Sequence, residues 1–155
     1  MNTKLQSNEA RYQEAHTLIQ RYTQFLSEKD IDSWMSLLDD NFVIEFPFAP
    51  QGRPNRIEGK TALYPYIQGI LNDVEFRSIL QQQIYLTQDP DIIITEITIE
   101  GHIISTGGSY NGKYVWLMRT KDGKLIHQRD YWSPLALLEI KGGLDASKQN
   151  IKVSE

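Results

Sequence analysis

A chain of 155 residues, 40% hydrophobic and 23% charged, is long enough to bury one sizeable core and has the composition of a globular domain. A net charge of −4 offers no concentrated cation for phosphate, which argues against a nucleic-acid partner, and the absence of cysteine removes disulfides, thiolate nucleophiles and sulfur-held zinc. The polar stretch Met1 to Ala10 has no signal-peptide pattern and no apolar run reaches the ~20 residues of a bilayer span, so a cytoplasmic protein without a membrane partner is expected.

From Asn8 to Lys29 the residues Tyr12, Ala15, Ile19, Tyr22 and Leu26 recur at spacings of three and four and predict an amphipathic helix. Asp30 or Asp32 caps a short second helix carrying Ile31, Trp34, Met35, Leu37 and Leu38, and Asp39-Asp40-Asn41 ends it. Phe42 to Phe48 reads as a strand whose end Pro47 places at an edge. Ala49 to Asn55, with two prolines and a glycine, reads as a loop. Arg53, Arg56 and Lys60 lie close together with Glu58 among them, the pattern of a solvated loop. A third helix is predicted from Ala62 to about Leu71, with Pro65 in its first turn, where a missing N–H costs little.

Beyond residue 75 the pattern becomes that of strands. Phe76 to Leu86 and Ile92 to Ile104 flank the turn Gln88-Asp89-Pro90-Asp91. Gly107-Gly108 and Asn111-Gly112 mark a loop or hairpin turn, and Tyr114–Arg119 and Leu125–Trp132 form a hairpin about Lys121-Asp122-Gly123. Leu135 to Ile140 reads as a docking segment and residues 141–155 as a flexible tail, leaving one domain over residues 1–140. Helices followed by a meander of long strands predict an α+β domain with its helices on one face of a curved sheet, enclosing a conical space.

The last strand carries the most pointed chemistry. Side-chain alternation puts Ile126, Gln128, Asp130 and Trp132 on one face and Leu125, His127, Arg129 and Tyr131 on the other. A carboxylate among large rings needs a partner, water or a task. In an apolar pocket the pKa of Asp130 rises toward neutrality, giving a group that both donates and accepts a proton. The alternative is an ion pair or solvent at a sheet edge.

The segments Gln20-Arg21-Tyr22, Asp30-Ile31-Asp32-Ser33-Trp34, Leu37 to Phe46, Ile57 to Leu63 and Asp122-Gly123-Lys124-Leu125, in this order, resemble the nuclear transport factor 2-like superfamily, which includes ketosteroid isomerase and the SnoaL-like polyketide cyclases. Thr87-Gln88-Asp89-Pro90, Glu96 and Gly123-Lys124-Leu125 through Arg129-Asp130-Tyr131 are similar to the phenazine-biosynthesis A/B proteins. The resemblance implies a cone-shaped barrel of strongly curved mixed sheet, three helices from the N-terminal half around a pocket, and a homodimer formed through the sheet face. Tyr22 matches the isomerase tyrosine, but the isomerase base falls at Phe46 and its second Asp at about Val115. Glu45 adjoins the base position, yet alternation turns it to the opposite face. Ketosteroid isomerisation by that set is therefore not expected. Asp130 occupies the place of the acid/base residue of the phenazine proteins, and their pocket histidine falls near Tyr66.

The expectation is a cofactor-free isomerase, cyclase or condensation-type enzyme of secondary metabolism, acting on a small cyclic or aromatic metabolite. Asp130 and Tyr22 are its candidate catalytic pair, Tyr22 also fitting the core face of the first helix. Trp34, Phe46, Tyr66, His102, Val115, Gln128 and Trp132 are the candidate ligand-binding residues, with Trp116 also a candidate wall. For the aromatics plain core packing is the alternative, and for His102 a satisfied structural histidine. His16, His102 and His127 sit in separate elements without ligand spacing, so no metal is expected. The rival readings are a non-catalytic ligand-binding or dimerisation module and a subunit that modifies a larger enzyme.

Overall fold

The computed structural model describes residues 7–135; the segment past Leu135, the boundary at 140 and the tail 141–155 lie outside the described residues. The first helix, α1 (Asn8–Ser27), is capped by Ser7, whose hydroxyl accepts from the Ala10 N–H at 3.1 Å. It buries Ala15, Ile19, Tyr22, Thr23 and Leu26. Asp30, not Asp32, caps α2 (Ile31–Met35), accepting from the Ser33 N–H at 3.1 Å.

The strand β1 (Leu38–Glu45) begins four residues before the expected Phe42, because tertiary pairing overrides the turn signal of Asp39-Asp40-Asn41. Leu38 lies in register with Leu125, whose N–H donates to the Leu37 carbonyl at 2.9 Å. The short strand β2 (Arg56–Glu58), which no sequence signal announced, pairs antiparallel with the end of β1. The third helix, α3 (Lys60–Asp73), starts directly after Gly59, held at φ +81°, so Pro65 lies inside the helix rather than in its first turn and withholds an N–H from the Thr61 carbonyl.

Four long strands follow: β3 (Val74–Leu86), β4 (Ile92–Ile103), β5 (Ser109–Lys121) and β6 (Lys124–Trp132). Asn111-Gly112 is not a turn but part of β5, paired with Glu100 and Ile99. Sheet order is β2-β1-β6-β5-β4-β3, antiparallel except for the parallel β1–β6 pair. The α+β class, the three helices and the curved mixed sheet are those expected. The sheet stays open, with β2 and β3 as its edges.

The inner sheet face, toward the helices, carries the core. Along β4 the residues Ile93, Thr95, Ile97, Ile99, Gly101 and Ile103 are buried while Glu96 and Glu100 are exposed. Ile19, Trp34, Leu38, Phe42 and Met118 are fully buried between α1, α2 and this face. Two ties fix the helices to the strands. Arg11 donates from Nη2 to the Thr87 carbonyl at 2.9 Å, and Asp73 at the end of α3 accepts from the Ser105 N–H at 2.8 Å and its hydroxyl at 3.0 Å.

One departure in β6 bears directly on the site. His127 pairs with Arg119 but Leu125 with Thr120, so Ile126 is an extra residue, a β-bulge. Leu125 is thereby on the buried side with Gln128, not on the face of His127 and Arg129 where strict alternation puts it.

Candidate functional site

A cavity of about 550 Å³ lies between α3 and the inner sheet face, with α1 at its floor. Asp130 enters it from β6, directly opposite Trp116 of β5. Its Oδ1 is buried and has no hydrogen-bond partner among the described residues. Burial pushes its pKa from 3.8 up to about 7; the neighbouring Trp116 indole N–H draws it slightly back without making a hydrogen bond of normal geometry. Near neutral pH this carboxyl is balanced between acid and base.

Tyr22 reaches the same cavity from α1. Its hydroxyl donates to Gln128 Oε1 at 3.1 Å, and its ring meets Trp34 edge-on at 5.2 Å and Trp116 at 5.0 Å. Burial, and then the nearby Asp130, raise its pKa far above the ordinary phenol value, so it stays protonated. Tyr66 on α3 stands over Phe46, with ring centroids 5.4 Å apart. Its hydroxyl is pushed up to about 12 by burial and by Asp130, and Arg53 pulls the other way.

A hydroxyl pair completes the wall. Tyr110, Gly112, Tyr114 and Trp116 follow one another on the inner face of β5, and the Tyr110 and Tyr114 hydroxyls hydrogen-bond to each other above Gly112. A Cβ at position 112 would stand 2.5 Å from the Tyr114 oxygen and 2.6 Å from the Tyr110 oxygen. Glycine is what lets this pair close. Burial, and then Tyr110, hold the Tyr114 pKa well above its ordinary value, and Asp130 and Tyr22 add to the rise.

The sequence-derived candidates separate into three groups. Asp130, Tyr22, Phe46, Tyr66 and Trp132 all line the cavity, as does Trp116. Trp34 and Gln128 do not line it: both are fully buried behind Tyr22, Trp34 packing on its ring and Gln128 holding its hydroxyl. His102 and Val115 do not line it either. Each lies on the outer sheet face, His102 in register with Glu75, and Val115 with Glu96 on one side and Tyr131 on the other. Alternation decides it, since their neighbours Gly101, Ile103, Tyr114 and Trp116 are the inward ones. Glu45 also faces outward, where its carboxylate accepts from Arg129 at 3.2 Å and meets His127 at 3.3 Å.

Residues that the sequence reading passed over are Tyr110, Tyr114, Phe76 and Arg53. A signal existed for the first two: the period-two series Tyr110, Gly112, Tyr114, Trp116 is that of an inward strand face once Asn111-Gly112 is not taken as a turn. Among the described residues no helix is long and apolar enough to cross a membrane.

Comparison with known proteins agrees with this architecture. The SnoaL-like domain family matches residues 19–128. An uncharacterised PhzA/B-like protein of Pseudomonas aeruginosa is 32% identical over 129 residues, 83% of this chain and 91% of its own. A crystal structure of a candidate isomerase from Bacillus subtilis superposes with a TM-score of 0.80 at 38% identity, covering 86% of this chain and 96% of that one. A Mycobacterium tuberculosis protein in complex with estradiol-17β-hemisuccinate shares the fold at a TM-score of 0.65 and 19% identity, over 78% of this chain and 95% of that one. With most of its length matched by the family and by relatives above 30% identity, this chain belongs to the SnoaL-like domain family.

Proposed function

We propose that this protein is a cofactor-free enzyme of the isomerase, cyclase or condensation type, in which Asp130 moves a proton on a small cyclic metabolite held in the aromatic cavity. The observation that carries the reading is the Asp130 Oδ1: a buried carboxylate oxygen without a described partner, inside a space walled by Phe46, Tyr66, Tyr114, Trp116 and Trp132. A structural carboxylate in that setting would be expected to hold an ion pair. As a base Asp130 takes a proton from carbon next to a carbonyl, and as an acid it returns the proton to another atom of the same ligand. The oxygen that gains charge needs a neutral donor, and Tyr22 and Tyr114 supply phenolic O–H groups that stay protonated. A half-turn of the Gln128 carboxamide would direct its Nε2, now without a described partner, at the Tyr22 oxygen and release the Tyr22 proton to the ligand. Steroid-sized occupancy has a precedent in the fold, since the Mycobacterium tuberculosis neighbour holds estradiol-17β-hemisuccinate.

Proton transfer can be read without the natural substrate, from deuterium uptake at the α-carbon of a flat cyclic ketone such as α-tetralone in heavy water. The protein should speed this exchange over buffer, and Asp130→Asn should remove ~100-fold or more of the acceleration. Equal rates for the two proteins would overturn the assignment.

The rival reading, a non-catalytic binding or dimerisation module, is favoured by Phe46, which stands in the cavity wall where the isomerase base is expected. A homodimer through the outer sheet face belongs to both readings. Its support is the row of Tyr85, Ile94, Val115, Leu117 and Tyr131 on that face, of which Tyr85 and Val115 are exposed.

A further inference from the structure

We infer that the cavity takes a cyclic metabolite bearing a carboxylate or similar anion, and that Arg53 binds that anion at the cavity rim. This rests on the cavity reading above and adds the chemical class of the ligand.

The loop between β1 and β2 fixes the backbone that carries Arg53. Pro50-Gln51-Gly52-Arg53 is a turn in which the Arg53 N–H donates to the Pro50 carbonyl at 3.1 Å and Gly52 takes φ +88°, the conformation a type II turn demands at its third residue. Pro54 restricts Arg53 from the other side to an extended backbone. The loop base is closed by the Phe46 N–H donating to the Asn55 carbonyl at 2.8 Å. The Arg53 side chain itself is exposed, at the open rim of the cavity it lines.

The charges around it are disposed in the same sense. From Phe46 to Ile57 there is no acidic residue. The two neighbouring cations are committed elsewhere: Arg56 to Glu58 at 2.7 Å and to Glu45, Lys60 to Asp40 at 3.4 Å. Arg53 is in no ion pair among the described residues, yet it lines the cavity and its charge is felt by the Tyr66 hydroxyl. The cavity's two carboxylates do not claim it. Asp73 is occupied by Ser105, and Asp130 Oδ1 has no hydrogen-bond partner among the described residues. The guanidinium and the acid/base carboxyl thus line one cavity without an ion pair between them among the described residues. A ligand that uses both carries an anion at one end and its reacting carbon at the other. Guanidinium suits this task because its planar fork matches a carboxylate in two parallel hydrogen bonds.

The test compares 2-naphthoate with its neutral methyl ester, by calorimetric titration into the full chain. The wild type should bind the acid about tenfold or more tightly than the ester. Arg53→Gln should erase that preference by weakening the acid alone, and Arg53→Lys should keep part of it. Raising salt from ~20 to ~300 mM should weaken acid binding in the wild type and leave the Arg53→Gln protein indifferent. Equal affinity for acid and ester in the wild type, or a preference that survives in Arg53→Gln, overturns the role of Arg53 and leaves the cavity reading standing. Failure of both probes to bind overturns the cavity reading and this inference with it.

Discussion

Asp130 determines how the protein should respond to pH. Its carboxyl ionises at about 7 in the folded state and at 3.8 when free of burial, so between these values the folded chain holds a proton that the unfolded chain releases. Stability contributed by the neutral carboxyl is therefore complete below about pH 4 and is lost as pH rises through 7. At ~1.4 kcal/mol for each tenfold change in proton affinity, the loss is ~4 kcal/mol at most, and less where water reaches the cavity. Asp130→Asn should stabilise the fold above pH 7 and have little effect at pH 4, as followed by urea unfolding at both values. A gain of the same size at both would exclude the buried-acid account. Gly112→Ala makes a separate demand: its Cβ would force the Tyr110 and Tyr114 rings aside, and because these are side-chain ends that can shift, the cost should be only ~1 kcal/mol. Since Tyr114 is a proposed donor, exchange of α-tetralone should fall as well, and wild-type values for both properties would contradict the arrangement described. At this scale the sequence was legible where alternation ran unbroken. It placed Asp130 and Trp132 together on one face, without deciding whether that face met a pocket or solvent, and turned Glu45 to the opposite face from Phe46. It could not separate Arg53 from Arg56 and Lys60, because three cations within eight residues look alike until the fold sets Arg56 beside Glu45 and Glu58, and Lys60 at the start of α3 beside Asp40.

Elements are set by pairing as much as by local pattern. The long helix α1 and the strand β4 follow their periodicity closely, since a one-residue slip would turn a buried face of β4 to solvent, whereas β3 shifts register between Phe76 and Ser78 and again between Ile79 and Gln81. The discrepancies occur where a tertiary contact overrides a local signal. Asp39-Asp40-Asn41 looks like a helix terminator but lies in β1 because Leu38 pairs with Leu125; Asn111-Gly112 looks like a hairpin turn but is held in β5 by β4. The bulge at Ile126 moves Leu125 across the sheet, and no residue in Lys124 to His127 advertises it. The close approach of β3 and β4 gives this scale its own prediction. At Gly101 an added Cβ would lie 2.3 Å from the Glu75 carbonyl oxygen, backbone that cannot swing away. Gly101→Ala should therefore cost ~1–3 kcal/mol in urea unfolding while Asp130 chemistry persists in the folded fraction. An unchanged unfolding midpoint would show that the two strands separate more easily than this packing implies.

For the whole molecule, the open sheet divides two kinds of surface. The inner face holds the cavity with its proposed acid/base residue, and the outer face carries the apolar row through Val115 and Tyr85, with ion pairs at the β1–β6 end. A charge placed in that row is the measure of the proposed dimer: Val115→Asp should shift sedimentation toward the monomer without altering the Asp130 carboxyl on the far side of the sheet. A wild type that sediments as a monomer at every concentration would remove the dimer. Both faces matter less than one property of Asp130, a carboxyl sheltered enough to exchange its proton near neutrality. An infrared titration of the wild type, with the Asp130→Asn spectrum subtracted, isolates the carboxyl band of this one residue. That band should be lost with a midpoint near pH 7; a midpoint near 3.8, the value of an ordinary solvated aspartate, would contradict a sheltered Asp130.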